Sequence, residues 1–304
     1  MNTNNIYSIN YQNTIKKYLI TFGEDSEILR KFIYRRYAEG VGLPRLYKYV
    51  KLIRAIKKQN PKSFIDWTKE DVVSFLVYLK SSHYSLHSQV QFKSMLKILF
   101  KFLKEDESPA LWIKINRVKP KKLLSKQLLN ENDIENMINT TQSINEKCII
   151  AFQWDTGGRI GETLNIKLND LDFSDGCITL ILNGKTGERV ISLVYSYNLL
   201  KEYYDNHPKK GNLNAPFFLN KHKTKLRYST ACKIIRKLAK RAEINKRINT
   251  HFFRKSRATD LARRGWKESH LCKFFGWEYG SPMARIYIHL GEEDLKNKML
   301  SSYS

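Results

Sequence analysis

The chain is poor in cysteine, proline and acidic residues. Its 304 residues include four cysteines, seven prolines and 14 glycines. Cys148, Cys177, Cys232 and Cys272 stand far apart, with no CxxC pair among them. That spacing argues against a zinc site or a disulfide scaffold and fits reduced thiols in a cytosol. No apolar run approaches the roughly 18 residues of a membrane-spanning helix. The opening residues MNTNNIYSINYQNT lack the basic-then-apolar profile of a signal peptide. An acidic cluster suited to a metal and a glycine-rich phosphate loop are both missing, so neither a metal nor a cofactor is expected.

Positive charge is abundant. Lys and Arg number 54 against 29 Asp and Glu, a net charge of +25. Residues 1–122 hold 24 basic and 10 acidic residues, and residues 123–304 hold 30 and 19. Both halves are therefore basic, rather than one carrying a charged tail. A polyanion touched by both halves is the natural partner, and a phosphate backbone is the commonest polyanion. A lysine-rich composition with no such partner is the plainer alternative.

The hydrophobic pattern is helical over residues 26–104. SEILRKFIYRRYAEG puts Ile28, Leu29, Phe32 and Ile33 on one face and stops at Gly40. GLPRLYKYVKLIRAIKK follows, with Pro44 suited to a first helical turn. WTKEDVVSFLVYLK opens with a capping-box pattern from Thr68 to Asp71. SLHSQVQFKSMLKILFKFLK carries Lys93, Lys97, Lys101 and Lys104 opposite its apolar face. The segment after it, with Pro109, Pro120 and a basic cluster, reads as a linker. The second half begins helical, changes to a period of two in CITLIL and ERVISL, and returns to helix from TACKIIRKLAKRAEI onward. CITLIL and ERVISL flank NGKTG, a β-hairpin signature. The expected class is mainly α with a small antiparallel β-sheet. The expected division is an N-terminal extension over 1–25, a helical domain over 26–106, a linker over 107–125 and a second domain over 126–304.

Several side chains could carry chemistry. Arg159 follows a Gly-Gly break, and Glu162 lies three residues on, so a helix would set the pair on one face. Alone, this is an everyday salt bridge; buried, the pair is costly unless the guanidinium serves an anion. Lys185 sits on the hairpin turn, where an ammonium could neutralise phosphate or protonate a leaving oxygen. His251 and Arg254 are three apart, two donors suited to the non-bridging oxygens of a phosphodiester. Trp277, Tyr279 and Tyr287 follow in GWEYGSPMARIYIHL. Cations around a phosphodiester, a phenol nearby and no metal cluster point to covalent catalysis by tyrosine.

In this order the motifs resemble those of the tyrosine recombinases. TGGRIGE resembles the family's TGxRxxE, HFFRKSRAT its HxLRHxxAT, and LCKFFGWEYGSPMARIYIHL its final segment leading to tyrosine. The ending, with GEED after it, is most similar to archaeal integrases and Xer-type recombinases. The resemblance covers the chain from about residue 26 onward. It implies a helical core-binding domain and an α/β catalytic domain that form a C-shaped clamp on double-stranded DNA. By motif, Arg159, His251 and Arg254 would bind the scissile phosphate, with Glu162 supporting Arg159. Lys185 would be the general acid for the leaving 5′-hydroxyl, and the Trp277 indole would donate to a non-bridging oxygen. Tyr287 would be the nucleophile, since Tyr279 is tied to a Gly-Ser-Pro turn. Two positions depart from the family: Lys255 stands where many relatives carry a second His, and Trp277 precedes Tyr287 by ten residues where nine is commonest.

The resulting expectation is a cytoplasmic site-specific DNA recombinase. It would form a 3′-phosphotyrosine without metal or ATP, as a monomer in solution and a homo-tetramer on paired sites, with no membrane partner. A type IB topoisomerase-like relaxing enzyme and a catalytically inactive DNA-binding relative are the alternatives. Leu295, Met299 and Leu300 make an apolar stripe on a tail too short to fold alone. A neighbouring protomer or its own domain would cover it.

Overall fold

Apolar residues at three- and four-residue spacing become buried helix faces throughout the first 104 residues. The computed structural model describes residues 6–116, 127–184, 187–246, 248–292 and 299. The chain divides into two compact units, Met1–Lys121 and Lys122–Ser304. The first unit contains α1 (Ile6–Leu19), α2 (Ser26–Ala38), α3 (Leu43–Gln59), α4 (Lys69–Ser81) and α5 (Leu86–Lys104).

Two of these helices begin for a plain local reason. Pro44 lies in the first turn of α3, where its missing N–H costs nothing. Thr68 and Asp71 form the capping box that starts α4, and Asp71 is also held by Lys62 at 2.9 Å. Trp67 is fully buried among Phe64, Phe75 and Phe100. Truncating such a residue to alanine typically costs about 3–5 kcal/mol.

Residues 6–25, part of the expected extension, contribute to this bundle. Ile15, Leu19 and Phe22 are buried in the same core as Leu29, Phe32 and Val50. Asp25 anchors the junction: its buried carboxylate accepts from Lys57 Nζ, from Ser63 Oγ at 2.8 Å and from Phe64 N at 3.0 Å. The lysine stripe of α5 is partly spent on the fold itself. Lys97 donates to the carbonyls of Leu111 and Ile113, and Lys104 donates to the carbonyl of Trp67.

The second unit runs α6 (Glu131–Asn139), α7 (Ile144–Thr156), α8 (Ile160–Thr163), β1 (Leu171–Ser174), β2 (Cys177–Gly184), β3 (Gly187–Leu193), α9 (Tyr197–Asp205), α10 (Tyr228–Arg241), α11 (Thr250–Arg263), α12 (Glu268–Phe275) and α13 (Pro282–Glu292). The three strands form an antiparallel sheet in the order β1-β2-β3. β2 and β3 are the hairpin expected from the change of period, and β1 adds a strand that the sequence pattern did not announce. The fold class is thus mainly α with a small antiparallel sheet.

Helix α7 is the axis of this unit, buried without interruption from Cys148 to Thr156. Ile178, Leu180, Leu182, Ile191 and Leu193 line the inward face of the sheet and share one core with Phe152, Phe275 and Tyr287. A second core joins α6 to α10 and α11 through Ile134, Leu238 and Phe253. Helix α7 also carries buried polar residues, and these shape the loop that follows it. No helix among the described residues is long and apolar enough to cross a membrane.

Candidate active site

The loop Gly157–Gly158–Arg159 ends α7 and is pinned at every residue. Gly157 caps α7 with φ +50°, a left-handed conformation that favours glycine. A Cβ there would lie 2.6 Å from the Phe275 ring. Gly158 N donates to Thr156 Oγ1 at 3.0 Å, and the Gly158 carbonyl accepts from Gln153 Nε2 at 2.6 Å. Thr163 Oγ1 donates to Gln153 Oε1 at 3.1 Å and fixes that amide. Gln153 and Thr156, two of the buried polar residues of α7, thus hold this turn.

Arg159 does not share a helix face with Glu162, as the three-residue spacing suggested. It is the N-cap of the short helix α8, with extended backbone, and Glu162 sits at the third helical position. Glu162 accepts from Arg159 N at 3.2 Å and from Arg159 Nη1 at 2.8 Å. This one-way cap, with Glu162 accepting both bonds, starts α8 and leaves the Arg159 side chain 35% exposed. Burial by itself would raise the Glu162 carboxyl. Hydrogen bonds from Arg189 and Arg159 outweigh it and hold the group below the ordinary carboxylate range.

Arg189 did not figure among the sequence candidates. It projects from β3 and donates through Nη2 to Glu162 Oε2 at 2.8 Å and through Nε to the Phe274 carbonyl at 2.9 Å. A signal was available: the period of two that puts Ile191 and Leu193 inside also puts Arg189 inside.

Arg254 lies on α11 and is buried. It donates through Nη1 to the Gly157 carbonyl at 3.2 Å and through Nη2 to the Phe275 carbonyl. Burial, with the neighbouring Arg159 charge, lowers its pKa to about 10, so it stays charged at neutral pH. Its guanidinium also stands over the rings of Phe275 and Trp277, 5.0 and 5.3 Å from their centroids. His251, one turn earlier on α11, is solvent-exposed, with its helix started by Asn249. Lys255, next to Arg254, is half-buried.

Trp277 follows α12, which ends at the left-handed Gly276. Its ring stacks on Phe275 and, on α13, on Tyr287. Tyr287 is buried, and burial raises its phenol above the ordinary 10.0 while Arg254 pulls it back. Tyr279 lies on the turn before α13, closed by Ser281 N donating to the Glu278 carbonyl at 3.0 Å, and is 80% exposed.

The structure thus brings together Arg159, Glu162, Arg254, Trp277 and Tyr287 and leaves His251 at an exposed helix turn. Lys185 lies outside the described residues. So do Leu295 and Leu300 of the tail, whose docking expectation is left with the exposed Met299 alone. Two guanidiniums meeting at one loop can compensate a doubly charged phosphorane, and the phenol beside them is a nucleophile in the right chemical class.

Known proteins share both sequence and fold with this chain. Residues 127–294 match the phage integrase family. The tyrosine recombinase XerA of Pyrococcus horikoshii is 30% identical over 203 residues, covering 65% of this chain and 68% of its own. The fold is shared with two solved structures of low identity. XerH bound to a palindromic difH substrate has TM-score 0.61 and 21% identity, over 84% of this chain and 76% of its own. A lambda integrase dimer bound to a COC′ core site has TM-score 0.67 and 16% identity, over 86% and 77%.

Proposed function

The chain belongs to the phage integrase family of tyrosine recombinases, and from that membership we propose how its own residues cleave and rejoin DNA at specific sites. The observation that carries the proposal is the convergence of Arg159 and Arg254 on the Gly157 loop, with Tyr287 stacked beneath the Arg254 guanidinium through Trp277.

The scissile phosphate binds to the exposed part of Arg159 and to Arg254. His251 and the Trp277 indole N–H donate to it as the substrate closes over the α11 turn. The Tyr287 phenol leaves its stack, releases its proton to solvent water and attacks phosphorus. The Oη–P bond forms as the P–O5′ bond breaks, and Lys185 protonates the departing 5′-oxygen. One phosphodiester replaces another, so no external energy source is consumed, and a 5′-hydroxyl of a second strand reverses the step. Glu162 keeps Arg159 aimed and charged throughout. Exchange requires two duplexes, which a homo-tetramer assembled from monomers on paired DNA sites supplies. The work is cytoplasmic, where the free thiols stay reduced.

Covalent trapping tests this reading. Full-length protein selects a duplex from a random-sequence pool, and that duplex is nicked a few nucleotides 3′ of candidate phosphates so that the short fragment bearing the 5′-hydroxyl diffuses away. A denaturation-resistant protein–DNA adduct through a 3′-phosphate, formed in excess EDTA, is expected. Strict dependence on added magnesium, or no adduct on any bound duplex, overturns the mechanism. Relaxation of supercoiled DNA without exchange between paired sites would assign a topoisomerase-like activity instead.

A further inference from the structure

We propose that Arg189 is a positioning residue for strand cleavage: through Glu162 it fixes Arg159, and through α12 it keeps Arg159 in register with Arg254. The proposal rests on the recombinase reading and adds to it a residue outside the phosphate-binding set.

Arg189 occupies an inward position of β3, opposite Leu182 and two residues before Ile191. Its side chain is only 7% exposed. A guanidinium among such neighbours is costly to bury, and neutralising Glu162 does not require it, because Arg159 already pairs with that carboxylate. Two guanidiniums on one carboxylate leave a surplus positive charge. Arg189 Nη1 is itself buried with no hydrogen-bond partner. A costly surplus retained in an apolar core is explained if its job is geometric.

Four hydrogen bonds describe that job. Arg189 and Arg159 take separate oxygens of Glu162, each at 2.8 Å, so the carboxylate cannot swing to follow either one. Arg189 Nε holds the Phe274 carbonyl, and Arg254 Nη2 holds the next carbonyl along, that of Phe275. Arg189 is thereby linked to one phosphate-binding arginine through a carboxylate and to the other through adjacent peptide groups. The end of β2 rests on the same pair: a Cβ on Gly184 would lie 2.7 Å from Glu162 Oε1 and 3.1 Å from Arg189 Nη1. Gly184 immediately precedes Lys185, so the strand leading to that lysine is seated on the Arg189–Glu162 pair.

The test compares full-length Arg189→Gln, Arg159→Ala and the double variant on the nicked duplex. The scissile group is either a phosphate or a neutral methylphosphonate. Arg189→Gln is expected to slow single-turnover adduct formation about tenfold or more with duplex affinity unchanged. The defect should shrink on methylphosphonate, where Arg159 has less charge to compensate. In the Arg159→Ala background the second substitution should add less than about twofold. Equal slowing on both linkages, multiplication of the two defects, or an unslowed Arg189→Gln overturns the proposal. If Arg189→Gln does not fold, Arg189→Lys carries the same comparison, since an ammonium keeps the charge but not the forked pair of bonds. A parent that forms no adduct refutes the recombinase reading, and Arg189 is then judged by NMR. Loss of the ordered Arg159 Nε–H signal in the variant supports positioning, and an unchanged signal overturns it.

Discussion

The phenol ring of Tyr287 lies flat against the indole of Trp277, centroids 5.3 Å apart and planes 15° from parallel. Trp277 stacks in turn on Phe275 at 4.7 Å, and the Arg254 guanidinium stands over both of those rings. The proposed nucleophile is therefore parked, with its hydroxyl held protonated near the Arg254 guanidinium. In the proposed mechanism, reaching phosphorus requires α13 to release that ring from the stack.

Tyr287→Phe should retain duplex binding and lose the covalent adduct, because only the hydroxyl is removed and the ring stack survives. Tyr279→Phe should retain both, since Tyr279 stands exposed on the turn. Gel-shift and adduct assays on the two variants decide the matter. An adduct that survives in Tyr287→Phe and vanishes in Tyr279→Phe would reverse the assignment.

The Tyr287 phenol should titrate above 10.0, because burial outweighs the pull of Arg254. A folded-state pKa raised in this way leaves stability intact below pH 10 and erodes it as alkali ionises the group, since the unfolded chain releases the proton first. The ultraviolet difference titration of parent against Tyr287→Phe isolates this one phenol among 17 tyrosines. A midpoint at or below 10.0 would mean that the hydroxyl is not held in a desolvated stack.

Gly157→Ala should destabilise the second unit by about 1–3 kcal/mol, from the left-handed backbone and the collision with Phe275. The same change should slow adduct formation further than the stability loss explains, because the Gly157 carbonyl receives Arg254. Thermal unfolding and single-turnover kinetics measured together test this. A variant with parental stability would show that the turn relaxes freely.

DNA affinity should fall steeply and log-linearly with salt, as Lys and Arg displace condensed counterions. Positive charge is spread over both halves, so fragments 1–121 and 122–304 should each bind more weakly than the whole chain. Binding isotherms at several salt concentrations provide the check. One fragment with the full affinity and the full salt slope would confine the contact to a single unit.

Much of this was legible in the residues alone. Helices α2 to α5 follow from apolar spacing, the start of α4 from Thr68 and Asp71, and the hairpin from a change of period across NGKTG. The order of Arg159, His251, Arg254 and Tyr287 named the chemistry. These signals are local: capping, turn geometry and periodicity act within a few residues, where chain connectivity leaves few alternatives. Tertiary structure decided the rest. Only packing could bring Arg254 to the Gly157 carbonyl across 97 residues, seat Arg189 on Glu162 across 27, and place Tyr287 in a closed stack. It also turned Arg159 and Glu162 from the expected helix-face pair into a helix cap in which Glu162 accepts from the Arg159 backbone and guanidinium, because the Gly157 break leaves Arg159 extended. Such meetings depend on how whole elements bury their apolar faces, and no short window of sequence contains both partners.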